Sequence, residues 1–143
     1  MKLIQISIFL ENKKGRLLEV CSLLGENKIN LRALTVAESD NFGVLRLVVD
    51  KPQEATTILK AKGFVANLTE IVAVEVPDKP GGLAEVLRIL SKHNINVEYM
   101  YGFLERASTR ALLVFRFDNP DTAIEVLKAN KIRVVGQKDM RAL

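Results

Sequence analysis

The chain has very little of the chemistry from which active sites are usually assembled. Its 143 residues include one cysteine, Cys21, which excludes an internal disulfide and any cysteine-rich metal site. There is one histidine, His93, and without a second histidine or a nearby cysteine no conventional metal set exists. The stretches G-x-S-x-G, H-E-x-x-H, G-x-x-x-x-G-K-[ST] and C-x-x-C are all missing. Neither a metal nor a cofactor is therefore expected, and no catalytic residue stands out. Apolar runs are short and broken by charge, so no membrane span is expected. The opening MKLIQISIFLENKKG lacks the long apolar core and small-residue cleavage site of a signal peptide, which points to a cytoplasmic protein. Basic residues number 21 against 17 acidic ones, a net charge of +4, but no block of five or six lies together. That balance permits an anionic partner without indicating one.

What is present is an ordinary soluble composition, 48% hydrophobic and 27% charged, in a length that suits one domain or two very small ones. Proline and glycine are scarce, yet PDKPGG at residues 77–82 holds two of each, directly before an apolar run. This stretch has an earlier counterpart. NKKGRLLEVCSLLGENKIN (12–30) aligns with DKPGGLAEVLRILSKHNIN (78–96) at an offset of 66, without a gap and with eight identities. Further on, DKPQEATTILKA (50–61) matches DNPDTAIEVLKA (118–129) at an offset of 68, so the second copy has two extra residues between Asn96 and Asp118. Length change in a loop with intact flanks is the mark of a duplication.

Each copy carries the same order of local signals. LIQISIF (3–9) alternates, with Ile4, Ile6 and Ile8 on one side and Gln5 and Ser7 on the other, as a strand does. Leu17, Val20, Cys21 and Leu24 then recur as one helix face, on which the Cys21 thiol is a small buried hydrophobe. LRALTVAE, the turn SDNFG and VLRLVVD read as a hairpin, with Leu45, Leu47 and Val49 facing the core. Pro52 opens a second helix, Gly63 ends it, and FVANLT is a short last strand. In the second copy the strands fall near IVAVEV, NVEYMYGF, RALLVFRF and IRVVGQ, and the helices start near Gly81 and Pro120. The order is βαββαβ twice. This predicts an α+β fold of two ferredoxin-like units, residues 1–68 and 69–143, each with an antiparallel sheet and helices on one face.

The opposite sheet face is ambiguous. Val44, Arg46, Val48, Leu112, Val114 and Arg116 alternate with the core positions. They suit either a wet face with snorkelling arginines or a contact with a second chain, and the contact is favoured because contiguous exposed apolar area marks an interface.

His93 lies at the end of a helix, where a solvated cap is its simplest role. Glu19 and Glu85 sit in first helical turns, where the dipole favours a negative charge without any catalysis. What remains is the glycine turn, where a helix begins with free N–H groups. The amides near Gly15 to Leu17 and Gly81 to Leu83 suit a carboxylate, and Asn12 and Asp78 can each accept from an ammonium group. Together these suit a free amino acid.

In their D-x-P-G turn, their L-x-x-V-x-x-x-L helix and their Ile-Asn-Val strand opening, the stretches VPDKPGGLAEVLRILSKHNINVEYM and, less closely, FLENKKGRLLEVCSLLGENKINLRAL resemble ACT domains. The resemblance covers essentially the whole chain as a tandem pair. It implies a regulatory, allosteric module, not an enzyme, whose two units join side by side into an extended sheet. It further implies a free amino acid ligand at the interface between units, between the glycine turn of one and the second strand of its neighbour, a separate enzyme of amino-acid metabolism as partner, and a homodimer through sheet faces or edges. By position the ligand shell comprises Asp78, Pro80, Gly81, Gly82 and Leu83 with Asn96 and Val97. The matching set is Asn12, Gly15, Arg16 and Leu17 with Asn30 and Leu31. Copy one departs from the pattern at Asn12, Lys14 and Arg16. Arg16 either closes the site, pairs with a ligand carboxylate, or is simply solvated, so the two loops need not be equal. Gly82→Val is expected to abolish binding and leave the fold intact.

Two alternatives compete. An RNA-binding ferredoxin-like protein needs stacked aromatics on the open sheet face, but Phe115 and Phe117 fall on the core side, leaving Tyr99 and Tyr101. No nucleic-acid partner is therefore expected. An acylphosphatase-like hydrolase needs a phosphate-cradling loop arginine, for which Arg16 is the nearest residue.

Overall fold

In the computed structural model, residues 1–38, 41–104 and 110–141 are described, apart from the side chains of residues 140 and 141. The elements are β1 (Leu3–Glu11), α1 (Arg16–Glu26), β2 (Leu31–Glu38), β3 (Phe42–Val49), α2 (Pro52–Ala61), β4 (Val65–Pro77), α3 (Gly82–Lys92), β5 (Val97–Gly102), β6 (Arg110–Phe117), α4 (Pro120–Ala129), β7 (Val134–Val135) and α5 (Gln137–Arg141). Ile4–Thr69 forms one compact unit; Met1–Leu3 together with the chain from Glu70 onward forms the other. Of the SDNFG turn, residues 39 and 40 lie outside the described residues, as do residues 105–109 of the longer second-copy loop.

Each unit is an antiparallel sheet covered on one face by two helices. In the first, β3 pairs with both β1 and β2, placing Ile8 opposite Leu45 and Val36 opposite Leu45. Ile6, Ile8, Leu45, Leu47 and Val49 then share one core with Val20 and Leu24 of α1 and Ala55 and Leu59 of α2. In the second unit, β6 pairs with β4 and β5, and β7 pairs with β4. Its core joins Val72, Val74, Val76, Phe115 and Phe117 to Val86 and Leu90 of α3 and Ala123 and Leu127 of α4. The period-2 and period-3.6 signals of the sequence thus meet on one face, as the βαββαβ order requires.

Four features differ from the local reading. FVANLT and IVAVEV are not two strands but one, because Thr69, Glu70 and Ile71 contain no turn former and the extended backbone continues through them. Leu17 does not belong to the core: it is 42% exposed at the first turn of α1, while Val20 and Leu24 are fully buried. A terminal helix, α5, follows β7, and Asp139 in it accepts from the Gly136 N–H at 3.0 Å.

The fourth difference concerns the far sheet face. Gln5, expected on a polar side, is fully buried and donates to Ser7 Oγ at 3.1 Å. Val48, Leu112 and Val114 are at most 3% exposed, and Ile71 and Ala73 on the same side of β4 are fully buried. These residues are covered within a single chain. Val48, Leu112 and Val114 are therefore not open to a second chain, whereas Phe9 and Phe42, on the same face as Val44, are 52% and 55% exposed.

Candidate functional site

The two glycine turns are built alike, from the main chain upward. At the end of β1, Lys13 N–H donates to Glu11 O at 2.9 Å and Arg16 N–H to Lys13 O at 3.4 Å. In the second unit, Lys79 N–H donates to Pro77 O and Gly82 N–H to Lys79 O, both at 3.0 Å. The residue before each helix takes a left-handed conformation, with φ 86° at Gly15 and 80° at Gly81. For a side chain that conformation costs about 1–2 kcal/mol, which accounts for glycine at both places. Space at Gly15 and Gly81 is open, since a Cβ there would meet nothing within 4 Å. Neither α1 nor α3 receives a side-chain cap, so the first-turn amides point outward unclaimed by a neighbouring side chain.

Gly82 has a different reason to be glycine. A Cβ there would lie 2.0 Å from Pro77 O. The close approach is of the helix start to the chain's own strand end, not of a ligand. Gly82→Val would force the turn apart, so this substitution cannot leave the fold intact. Copy one carries Arg16 at the same place, in a turn whose closing hydrogen bond is the longer of the two.

Arg16 is not simply solvated but paired at the surface. Its guanidinium donates to Glu11 at 2.9 Å and Glu19 at 3.0 Å, and Lys13 Nζ lies 2.8 Å from the other Glu11 oxygen. The bonds from Lys13 and then Arg16 hold the Glu11 carboxyl below its ordinary range, and the two carboxylates hold the Arg16 guanidinium above its own. A guanidinium already committed to two carboxylates is poorly placed to cradle a phosphate. Phe115 and Phe117 are stacked, with ring centroids 5.3 Å apart, and at most 1% exposed, so neither can stack on a base. The hydrolase reading thus loses its key residue; of the two tyrosines left to the RNA reading, Tyr101 is buried and Tyr99 is half-buried.

The main chains of Asn30 and Asn96 hold the hairpins. Asn30 N–H donates to Asp50 Oδ1 at 3.0 Å while Asp50 N–H donates to Asn30 O at 3.2 Å. Asn96 and Asp118 repeat this exchange at 3.3 Å in both directions. Sequence reasoning missed this role, although the repeated Asp50 and Asp118 were its signal. Within each unit, moreover, the turn and the second-strand residues stand at opposite ends of an 11-residue helix. At 1.5 Å per residue that is a separation of roughly 16 Å. Asp78, Pro80, Gly81, Gly82 and Leu83 are thus gathered at one end of α3, and Asn96 and Val97 at the other, beside a 300 Å³ hollow that Leu87, Ser91 and Asn94 also line. Asn12, Gly15, Arg16 and Leu17 are likewise apart from Asn30 and Leu31.

The first unit also has a larger groove of 580 Å³, whose walls include Phe9, Arg16, Glu19, Phe42, Lys62 and Phe64. Cys21 is half-buried, and burial pushes its thiol up, away from the reactive thiolate. His93 caps α3, its ring Nδ1 2.9 Å from Ile89 O. Among the described residues no group of three metal-ligating side chains lies together. No helix among them is long and apolar enough to cross a membrane.

The family model described as "ACT domain pair" matches residues 1–143. The chain belongs to the ACT domain-pair family. Among solved structures, protein BT0572 from Bacteroides thetaiotaomicron is 43% identical with a TM-score of 0.93, covering 100% of this chain and 98% of that one. The ligand-free regulatory subunit of aspartate kinase from Thermus thermophilus shares the fold, at 19% identity and a TM-score of 0.64, covering 88% of this chain and 91% of that chain. The corresponding subunit from Thermus flavus is similar, at 20% identity and a TM-score of 0.59, covering 88% of each chain. Among curated protein sequences none matches. The ACT pair is a regulatory family, so the expectations of an α+β fold of two ACT units and of a regulatory module both hold.

Proposed function

We propose that this ACT pair is an amino-acid sensor that controls a separate enzyme of amino-acid metabolism. The observation that carries the reading is the duplicated turn: a strand end, a left-handed glycine with open space over it, and an uncapped helix start. Such a helix start attracts a carboxylate through its free amides and the positive end of its dipole. Asp78 at the head of the second turn is exposed and suits an ammonium group. The dipole alone contributes only about 0.3–1 kcal/mol, so affinity requires several main-chain hydrogen bonds as well. Two proteins that share the fold are regulatory subunits of aspartate kinase, which favours a partner enzyme over an independent activity. Control of that enzyme requires that the amino acid bind two states of the assembly unequally, typically by 1–3 kcal/mol.

Calorimetry and thermal shift against the twenty free amino acids, up to millimolar concentration, test the reading. Saturable binding of one or a few is expected, weakened by Asp78→Ala. No response to any of them would remove the proposal.

A further inference from the structure

Apolar exposure is uneven between the two units. Nine large apolar side chains are exposed among the described residues; seven belong to the Ile4–Thr69 unit, and Met1 and Leu104 to the other. Three of the seven, Phe9, Phe42 and Val65, are each more than half exposed and line the 580 Å³ groove. Phe9 pairs with Val44 and Phe42 with Glu11 on the same sheet face, so the two aromatic residues are diagonal neighbours. The duplication supplies a control. In the second unit Glu75 pairs with Leu112 and Pro77 with Arg110, so Glu75 stands for Phe9 and Arg110 for Phe42. At the offset of 68, Arg133 stands for Val65, and it reaches Glu75 at 3.2 Å. The fold thus accepts charge at all three places. One unit has an ion pair where the other presents apolar surface to water, and contiguous apolar exposure marks an interface.

The geometry points to a second copy of this chain on the groove of the first unit, with a two-fold axis relating the copies. A two-fold contact needs a patch complementary to itself. The groove has this property in shape: Phe9 and Phe42 border a hollow and stand more than half in solvent, so each copy offers a cavity and the projections to fill one. It has it in charge as well. Of the charged residues on the groove, Glu11, Arg16 and Glu19 are closed on one another. Glu26 and Lys62, also on the groove, make no ion pair among the described residues. A two-fold axis lays Glu26 of each copy against Lys62 of the other. The second unit has Lys92 and Asn130 at those places and no such match. A small molecule is a poorer occupant, because its sites typically enclose about 70–90% of the ligand, and these walls are themselves more than half in solvent. Three half-exposed side chains amount to about 300 Å² per copy, at roughly 200 Å² for a whole aromatic residue. A standard interface covers roughly 800 Å² on each partner, so the dimer is expected to be reversible, dissociating in the micromolar range. The contact requires no amino acid at the glycine turns, so its failure would leave the proposed function standing.

Sedimentation velocity of the full chain, from about 1 to about 200 μM, tests the contact. A monomer–dimer equilibrium is expected within that range. Phe9→Glu with Phe42→Arg and Val65→Arg gives the first unit the residues of the second. It is expected to raise the dissociation constant at least about tenfold and to leave the circular dichroism spectrum unchanged. Should that variant fail to fold, Phe42→Ser alone, at a position more than half exposed, decides instead. Glu26→Lys sets lysine against lysine and is expected to weaken the dimer about two- to fivefold, and adding Lys62→Glu to restore it. A chain that stays monomeric throughout the range would overturn the inference and leave the groove to a different protein. A dimer indifferent to the apolar variants or to Glu26→Lys would overturn it too, as would a charge swap that fails to restore what the single reversal removed.

Discussion

Glycines 81 and 82 are neighbours in the chain but are glycine for separate physical reasons, and substitution tells them apart. At Gly81 the cost of alanine is conformational, about 1–2 kcal/mol for a left-handed residue with empty space around it. At Gly82 the new methyl strikes the Pro77 carbonyl, and overpacking against main chain costs typically 1–3 kcal/mol, occasionally more. Urea unfolding is expected to show the larger loss for Gly82→Ala, with hydrogen exchange at Gly82 accelerated because its bond to Lys79 O must break. Equal losses would refute the steric account. The Arg16 cluster makes a second prediction at this scale. Glu11 has its pKa lowered by folding, so its contribution to stability is full above the ordinary carboxylate value of about 4.3 and is lost as pH falls through the lowered value. The stability difference between the unaltered protein and Glu11→Gln is expected to be constant near neutrality and to vanish in acid. A difference that stays undiminished as the pH falls through the lowered value would show that the charge is not its source.

At the scale of elements, the repeat acts as an internal control. Helix α4 starts at Asn119, whose side chain accepts from Thr122 N–H at 3.2 Å, whereas α2 starts at Lys51 with no side-chain cap. Both residues have φ −133°. Lys51→Asn is therefore expected to raise stability, and Asn119→Ala to lower it, each by about 1 kcal/mol in chemical unfolding. The helices, hairpins and their faces were legible because periodicity is a local property: Ile6, Ile8, Leu45 and Leu47 alternate into the core as the sequence pattern predicts. The join of two short segments into β4 was not legible, since nothing in Thr69-Glu70-Ile71 marks either a turn or its absence. The candidate site was legible only in part. The turns were visible as glycine patterns, but the Asn30–Asp50 and Asn96–Asp118 exchanges lie 20 and 22 residues apart and depend on pairing between strands.

For the whole molecule, the far sheet face decides how oligomerisation should be sought. Val114 is fully buried within one chain. Val114→Thr places a hydroxyl there and is expected to cost about 1–3 kcal/mol, unless the hydroxyl finds a partner. Because the burial is intramolecular, that loss should be the same across roughly a hundredfold range of protein concentration. A concentration-dependent loss would restore the second chain to that face. An effector at a hundred times its Kd should stabilise the folded chain by about 2.7 kcal/mol, seen as a rise in the thermal midpoint of several degrees. By itself the sequence determined the duplication, the order of elements, the core-facing residues and the place of both glycine turns, because these follow from local spacing and backbone preference. Only the tertiary structure decided that Gly82 answers to its own strand, that Arg16 is taken by two carboxylates, and that Val48, Leu112 and Val114 of the second sheet face are already covered. Each of those outcomes depends on distances between side chains and main chain that no pattern along the chain encodes.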